Sequence, residues 1–227
     1  MKTLVSFSLA ALVATGIAST ATAQQPPVQQ PNVSPTTVPV STQIAMCTGC
    51  HNIPGYQASF PEVHKVPMIA GQSAKYIANS LMAYRKGERK HPTMRSVAVT
   101  MSDADINAVA DYYSKLGQAE PAPAKPEHTP PANVAALLQK ANCASCHGEN
   151  FSKPIDPSYP KLAGQYADYL YVALKSYQID NNPHIGRGNA IMQGMARPYT
   201  RAELRVLANY LASLPGELRL IEQSRFR

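Results

Sequence analysis

All four cysteines of this 227-residue chain fall in two copies of one motif, CTGCH at residues 47–51 and CASCH at residues 143–147. C-x-x-C-H is the attachment signature of c-type haem, in which the thiols bond the macrocycle and the histidine reaches the iron. A disulfide framework, a thioredoxin-like redox pair and half of a zinc site are the alternatives for an isolated C-x-x-C. The histidine after both pairs, in a chain without a βαβ pattern, favours two covalent haems.

The second half of the chain repeats the first, since VPMIAGQ at residues 66–72 matches YPKLAGQ at residues 159–165. Apolar residues at helical spacing follow both segments. They are Ile77, Leu81 and Tyr84 in the first copy and Leu170, Leu174 and Tyr177 in the second. Each copy then has a predicted capped helix, after Ser102 and after Thr200. With no strand alternation, the pattern predicts an all-α fold of three or four helices around each haem.

The rest of the chain reads as targeting and connecting segments. Residues 1–23 have the charge, apolar stretch and small-residue site of a signal peptide cleaved after Ala23, which predicts export to the periplasm. Residues 24–43 form a Pro/Gln-rich leader, and residues 119–132 a Pro-rich linker. We therefore predict domains at residues 44–118 and 133–215, a tail at residues 216–227, and two separate ligand cages.

The repeat also serves as an internal alignment for the iron ligands. His51 and His147 are the proximal candidates, with their tautomers fixed by the backbone carbonyls of Pro67 and Pro160. Met94 lies eight residues before Ser102, and Met192 lies eight before Thr200, which makes these methionines the distal candidates.

Other side chains compete for the distal position. Met195 is a rival to Met192, although its counterpart in the first copy is Val97. The remaining histidines are His64, His91, His128 and His184. His91 and His184 do not correspond between the copies, so we expect surface roles for them. His/Met ligation fills both axial positions, which is typical of an electron carrier rather than an enzyme.

These motifs resemble the dihaem cytochrome c4 family, two fused class I cytochrome c domains. The resemblance covers most of residues 44–215. It implies thioether sites at Cys47, Cys50, Cys143 and Cys146, proximal His51 and His147, and distal Met94 and Met192. It also implies haems that face each other across a pseudo-twofold interface. Asn52 where the second copy has Gly148, and the tail, depart from the pattern.

The same resemblance implies redox-protein partners: a dehydrogenase or cytochrome bc complex as donor and a terminal oxidase as acceptor, with peripheral membrane association through them. Alternatives are an electron-transfer subunit of a dehydrogenase or oxidase complex, and an enzyme such as a dihaem peroxidase or thiosulfate dehydrogenase. The net charge of +7 does not indicate nucleic-acid binding, because each predicted domain mixes eight basic with five acidic residues.

The densest basic cluster of the chain consists of Arg85, Lys86, Arg89 and Lys90. Three interpretations are open: a solvated helix end, a haem propionate bound by Arg89, or a docking site for an acidic partner at Lys86 and Lys90.

Overall fold

The computed structural model describes residues 40–117 and 129–222, all of which belong to one compact unit. We name residues 40–117 the first repeat and residues 129–215 the second repeat. The predicted signal peptide, the leader before residue 40, residues 118–128 with His128, and residues 223–227 lie outside the described residues.

The first repeat is built from five helices and three very short strands. The helices are α1 (Val40–Gln43), α2 (Ala45–His51), α3 (Ala74–Lys86), α4 (Pro92–Ala98) and α5 (Asp103–Lys115). The strands are β1 (Gln57–Ala58), β2 (His64–Lys65) and β3 (Arg89–Lys90). α3 packs against α5 around a core that includes the predicted residues Ile77, Leu81 and Tyr84.

The second repeat has the same order of helices and one strand. The helices are α6 (Ala132–Lys140), α7 (Ala144–His147), α8 (Ala167–Ser176), α9 (Ala190–Ala196) and α10 (Arg201–Ser213), and the strand is β4 (Gly186–Arg187). α8 packs against α10 as α3 does against α5. The all-α class is therefore confirmed, with five helices in each repeat rather than three or four.

The two predicted capped helices are confirmed in detail. Ser102 and Asp105 form a capping box at the start of α5, and Thr200 and Glu203 form the equivalent box on α10. The apolar faces of these helices point inward: Ile106 and Leu204 are fully buried in their respective cores.

The two repeats contact each other, whereas the Pro-rich linker suggested independent domains. β3 pairs with β4 across the repeats, with Arg89 opposite Arg187 and Lys90 opposite Gly186. A two-residue strand has no alternation to detect in a sequence, so only the tertiary fold creates this pairing. The domain limits remain predictions. α1 begins inside the predicted leader, and α6 begins at the end of the predicted linker.

Residues 216–222, which we name the C-terminal segment, run from the second repeat onto the first. Arg219 pairs with Ala70 as an isolated β-bridge, and Leu218 is 3% exposed. Ile221 packs against the core of the first repeat. No helix within residues 40–117 and 129–222 is long and apolar enough to cross a membrane.

Candidate functional site

The two C-x-x-C-H motifs lie in the equivalent helices α2 and α7. In α2, Cys47, Cys50 and His51 stand at positions i, i+3 and i+4, which places them on one helix face. Cys143 stands at the N-cap position of α7, and Cys146 and His147 lie inside that helix. All four thiols are unbridged and half-buried.

The chemistry of the first cysteine of each pair does not favour a thiolate. Burial raises the pKa of the Cys47 thiol to about 11 and also raises that of Cys143. Both are therefore neutral thiols at physiological pH, unlike the low-pKa cysteine of a thioredoxin-like pair. Among the described residues, no group of three or more His, Cys, Asp or Glu side chains gathers at one point.

Each motif histidine is oriented by a backbone carbonyl, as predicted. His51 Nδ1 lies 2.7 Å from the carbonyl oxygen of Pro67, and His147 Nδ1 lies 3.0 Å from that of Pro160. A carbonyl only accepts, so Nδ1 carries the proton and Nε2 keeps its lone pair. Burial lowers the pKa of both histidines, which favours the neutral imidazole that a metal requires.

Met94 and Met192 occupy the same place in their helices. Each is the third residue of its helix, α4 or α9, and donates its backbone N–H to the N-cap side chain. The acceptors are His91 Nδ1 at 3.5 Å and Asn189 Oδ1 at 3.0 Å. Met195 is 41% exposed, whereas Met94 packs against the core of the first repeat. Met192 is half-buried. The two methionines therefore hold equivalent helix positions, and their role as iron ligands stays a prediction.

The rival histidines that the structure describes have other surroundings. His91 accepts at Nδ1, so its Nε2 carries the proton and donates to the carbonyl oxygen of Phe60 at 3.2 Å. His64 is buried rather than at the surface, with Nδ1 2.8 Å from the carbonyl oxygen of Glu62. His184 is exposed. The capping role of His91 was not predicted, although its place three residues before Met94 matches that of Asn189.

The basic cluster does not act as one surface patch. Arg85 donates to the Met101 carbonyl at 3.0 Å and pairs with Asp103, and Lys90 Nζ donates to the Asn182 carbonyl oxygen at 2.6 Å. Of the four residues in the cluster, only Lys86 is exposed. A solvated helix end is therefore wrong for Arg89 and Lys90, and Lys90 is occupied by the other repeat.

Arg89 instead meets Arg187 between the repeats. Its guanidinium donates to Ser80 at 2.9 Å and to the Tyr169 hydroxyl at 2.7 Å, and Arg187 donates to the same hydroxyl at 3.2 Å. Arg89 also stacks on the Tyr84 ring, 4.6 Å from its centroid. Although burial opposes ionisation, the two guanidiniums lower the pKa of Tyr169 to about 8. Sequence analysis missed Arg187 and Tyr169, because their contacts arise only on folding.

The described residues do not supply every hydrogen-bond and ionic partner that Arg89 and Arg187 could bind. In the part of the chain that the structure describes, neither guanidinium forms an ion pair with a carboxylate. Arg89 Nε is buried and has no partner there. Both arginines are half-buried, and a partly desolvated guanidinium is stabilised by an anion; each haem carries two propionate carboxylates. The residues present therefore fit haem as a bound group.

Comparison with known proteins agrees with this geometry. A family model described as Cytochrome c matches residues 131–215. The chain is 28% identical to the "Thiosulfate dehydrogenase electron acceptor" of Thiomonas intermedia, over 76% of this chain and 80% of that protein. It is 40% identical to "Cytochrome c-554(548)" of Halomonas halodenitrificans, over 32% of this chain and 86% of that protein.

A solved structure is also similar. The cytochrome c4 structure of Acidithiobacillus ferrooxidans is 28% identical, with a TM-score of 0.55, and the match covers 77% of this chain and 99% of that one. The similarity therefore extends over both repeats.

Proposed function

The chain belongs to the cytochrome c family as a dihaem, cytochrome c4-like electron-transfer protein with two covalent haems c; from this premise we propose that it is a mobile carrier and not an enzyme. The observation that carries the proposal is the duplicated pair of a carbonyl-oriented histidine and a capped methionine. With both axial positions filled at each iron, neither offers a place for substrate or dioxygen.

Each repeat holds one haem in this proposal. Cys47 and Cys50 would form the thioethers of the first haem, and His51 and Met94 would hold its iron. Cys143, Cys146, His147 and Met192 have the same roles for the second haem. When bound, each haem supplies a one-electron couple whose potential His/Met ligation raises relative to bis-His ligation. The protein orients the ligands, keeps the imidazoles neutral and excludes water.

Arg89 and Arg187, which meet between the repeats, would hold haem propionates. Guanidinium groups match carboxylates in shape and charge, and a propionate would satisfy the buried Arg89 Nε. Tyr169 joins the two arginines through its hydroxyl oxygen.

The partners are redox proteins. Electrons are exchanged with them in the periplasm, after the signal peptide has been cleaved behind Ala23. We propose a respiratory dehydrogenase or cytochrome bc complex as donor and a terminal oxidase as acceptor. The relative from Thiomonas intermedia, whose name makes it the electron acceptor of thiosulfate dehydrogenase, favours a dehydrogenase among the donors. The same name is compatible with the alternative, in which this protein is an electron-transfer subunit bound to a dehydrogenase.

Ligand substitution tests the site. Met94→His and Met192→His each replace a thioether by imidazole, so each should convert one haem to a low-potential bis-His site and leave the other haem in its native ligation. Pyridine haemochrome analysis counts the haems, and the far-red absorption of the oxidised protein reports iron–sulfur ligation.

Met195→Leu is the matched control, because Met195 lies one helical turn after Met192 on α9 and is exposed. It should leave the far-red band unchanged. If Met195→Leu lost the contribution of one haem to that band and Met192→Leu kept the full band, the ligand of the second repeat would be misassigned.

A further inference from the structure

The loops that orient the two motif histidines are each held by a glutamine of the other repeat. Gln72 Nε2 donates to the Lys161 carbonyl oxygen at 3.0 Å, and its Oε1 accepts from the Lys161 N–H at 3.0 Å. In the reciprocal contact, Gln165 Nε2 donates to the Met68 carbonyl oxygen at 2.8 Å, and its Oε1 accepts from the Met68 N–H at 3.1 Å. Each side-chain amide thus makes two hydrogen bonds to one backbone residue.

The residues bound in this way directly follow the two prolines. The Met68 N–H and the Pro67 C=O belong to one planar, conjugated peptide group, and that carbonyl accepts from His51 Nδ1 at 2.7 Å. When the N–H of a peptide group donates a hydrogen bond, the peptide group is polarised. Its carbonyl oxygen then becomes a stronger acceptor. Gln165 therefore reaches His51 through a single peptide group.

The same chain of contacts exists in the opposite direction. Gln72 Oε1 accepts from the Lys161 N–H, which belongs to the same peptide group as the Pro160 carbonyl. That carbonyl accepts from His147 Nδ1 at 3.0 Å. The histidine of each repeat is thus linked to a side chain of the other.

Both amides have one fixed orientation. Gln72 and Gln165 are each 4% exposed. Gln72 Oε1 also accepts from the Ser73 N–H at 3.0 Å, and Gln165 Oε1 from the Tyr166 N–H at 3.0 Å. Two N–H donors at one atom identify that atom as the amide oxygen. The acceptor end of each amide is therefore held opposite the peptide N–H.

We propose that Gln72 and Gln165 are positioning residues that tune the haems crosswise: Gln165 acts on the proximal ligand of the first haem, and Gln72 on that of the second. Because the effect passes through His51 and His147, it depends on the ligand set proposed above. A stronger acceptor for Nδ1–H makes the imidazole a more electron-rich ligand, which favours oxidised iron. Removing a glutamine should therefore raise the reduction potential of the haem in the opposite repeat.

Gln72→Met and Gln165→Met test this, since methionine keeps the length of the side chain without its hydrogen bonds. Gln72→Met should raise the potential of the second haem and leave the first at its native value, and Gln165→Met should do the reverse. The expected shift is smaller than a tenfold change in the ratio of reduced to oxidised haem, which corresponds to about 59 mV. A redox titration followed by NMR of the haem methyl resonances measures the two haems separately.

Gln72→Glu is the matched second variant, because it keeps an oxygen acceptor opposite the Lys161 N–H. It should leave the second haem at or below its native potential, whereas Gln72→Met should raise that potential. If the methionine variant does not fold, this variant decides the question, since a raised potential of the second haem contradicts the mechanism.

Three results would overturn the crosswise assignment: a shift in the haem of the mutated repeat, equal shifts in both haems, or no shift in either. Failure of the ligand set looks different. In that case His51→Ala or His147→Ala would leave the native low-spin spectrum intact. If only the tuning is wrong, these variants lose the spectrum of one haem while the glutamine variants keep native potentials.

Discussion

His91 and Asn189 hold the two candidate methionines with different side chains at the same helical position. The cap on Met192 is the shorter of the two, at 3.0 Å against 3.5 Å. Loss of an N-cap hydrogen bond typically costs about 1 kcal/mol. Asn189→Ala should therefore destabilise the second repeat by about 1 kcal/mol and weaken its far-red iron–sulfur band, as measured by denaturant unfolding and absorption.

The first repeat supplies the comparison at this scale. His91→Asn gives α4 the capping residue of the second repeat, so Met94 should remain an iron ligand. His91→Ala removes the hydrogen-bond acceptor for the Met94 N–H and should weaken that ligation. An unchanged far-red band in both Asn189→Ala and His91→Ala would show that the caps do not position the methionines.

At the scale of the helix, the capping box of α10 gives a pH-dependent contribution to stability. Hydrogen bonds from Thr200 lower the pKa of Glu203. A carboxyl whose pKa is lower in the folded state stabilises the protein above its unfolded pKa, and this contribution disappears as pH falls through the folded pKa. Glu203→Ala should therefore unfold at lower denaturant concentration than the native chain at pH 7. This difference in unfolding midpoint should narrow below pH 4.5, the ordinary pKa of a glutamate.

Glu149→Ala removes another glutamate of the same repeat and is the control for net charge. It should show no comparable gap that closes in acid. A gap for Glu203→Ala that stays constant from pH 7 to pH 3 would mean that the carboxylate is not the stabilising group.

For the whole molecule, the C-terminal segment joins the repeats beside the first haem motif. Asn52, which follows His51, donates to the Ile221 carbonyl oxygen at 2.6 Å and accepts from the Tyr113 hydroxyl at 3.0 Å. Lys161 pairs with Glu217 at 2.6 Å. Asn52 therefore has a structural reason to stand where the other repeat has Gly148.

Deleting residues 216–227 should destabilise the first repeat, although the deleted residues follow the second. Burial of Leu218 and of Ile221 contributes about 1.5–3 kcal/mol for each fully buried side chain, and Ile221 is only partly buried. We expect a loss of about 2–4 kcal/mol in the unfolding free energy of the first repeat. Deleting only residues 223–227 keeps every described contact and is the control. Equal stability of the two truncated chains would contradict the role of this segment.

The sequence by itself determined the features that depend on local spacing. The first C-x-x-C-H motif places its thiols and histidine on one helix face, each capping box spans four residues, and the repeat puts Met94 and Met192 in equivalent places. The proline carbonyls also follow from the repeat, because Pro67 and Pro160 hold the same position in the stretch that both copies share. Such contacts correspond to periodic or repeated patterns in the sequence, so sequence analysis could find them.

Only the tertiary structure decided how the repeats act on each other. Arg89 and Arg187 meet across 98 positions (187 − 89), Gln72 binds a backbone 89 positions away, and Asn52 binds one 169 positions away. Contacts at this separation follow no helical or strand period, and a proline-rich linker suggested independent domains. Buried amides such as those of Gln72 and Asn52 must find partners wherever the folded backbone brings them, and here these are the other repeat and the C-terminal segment.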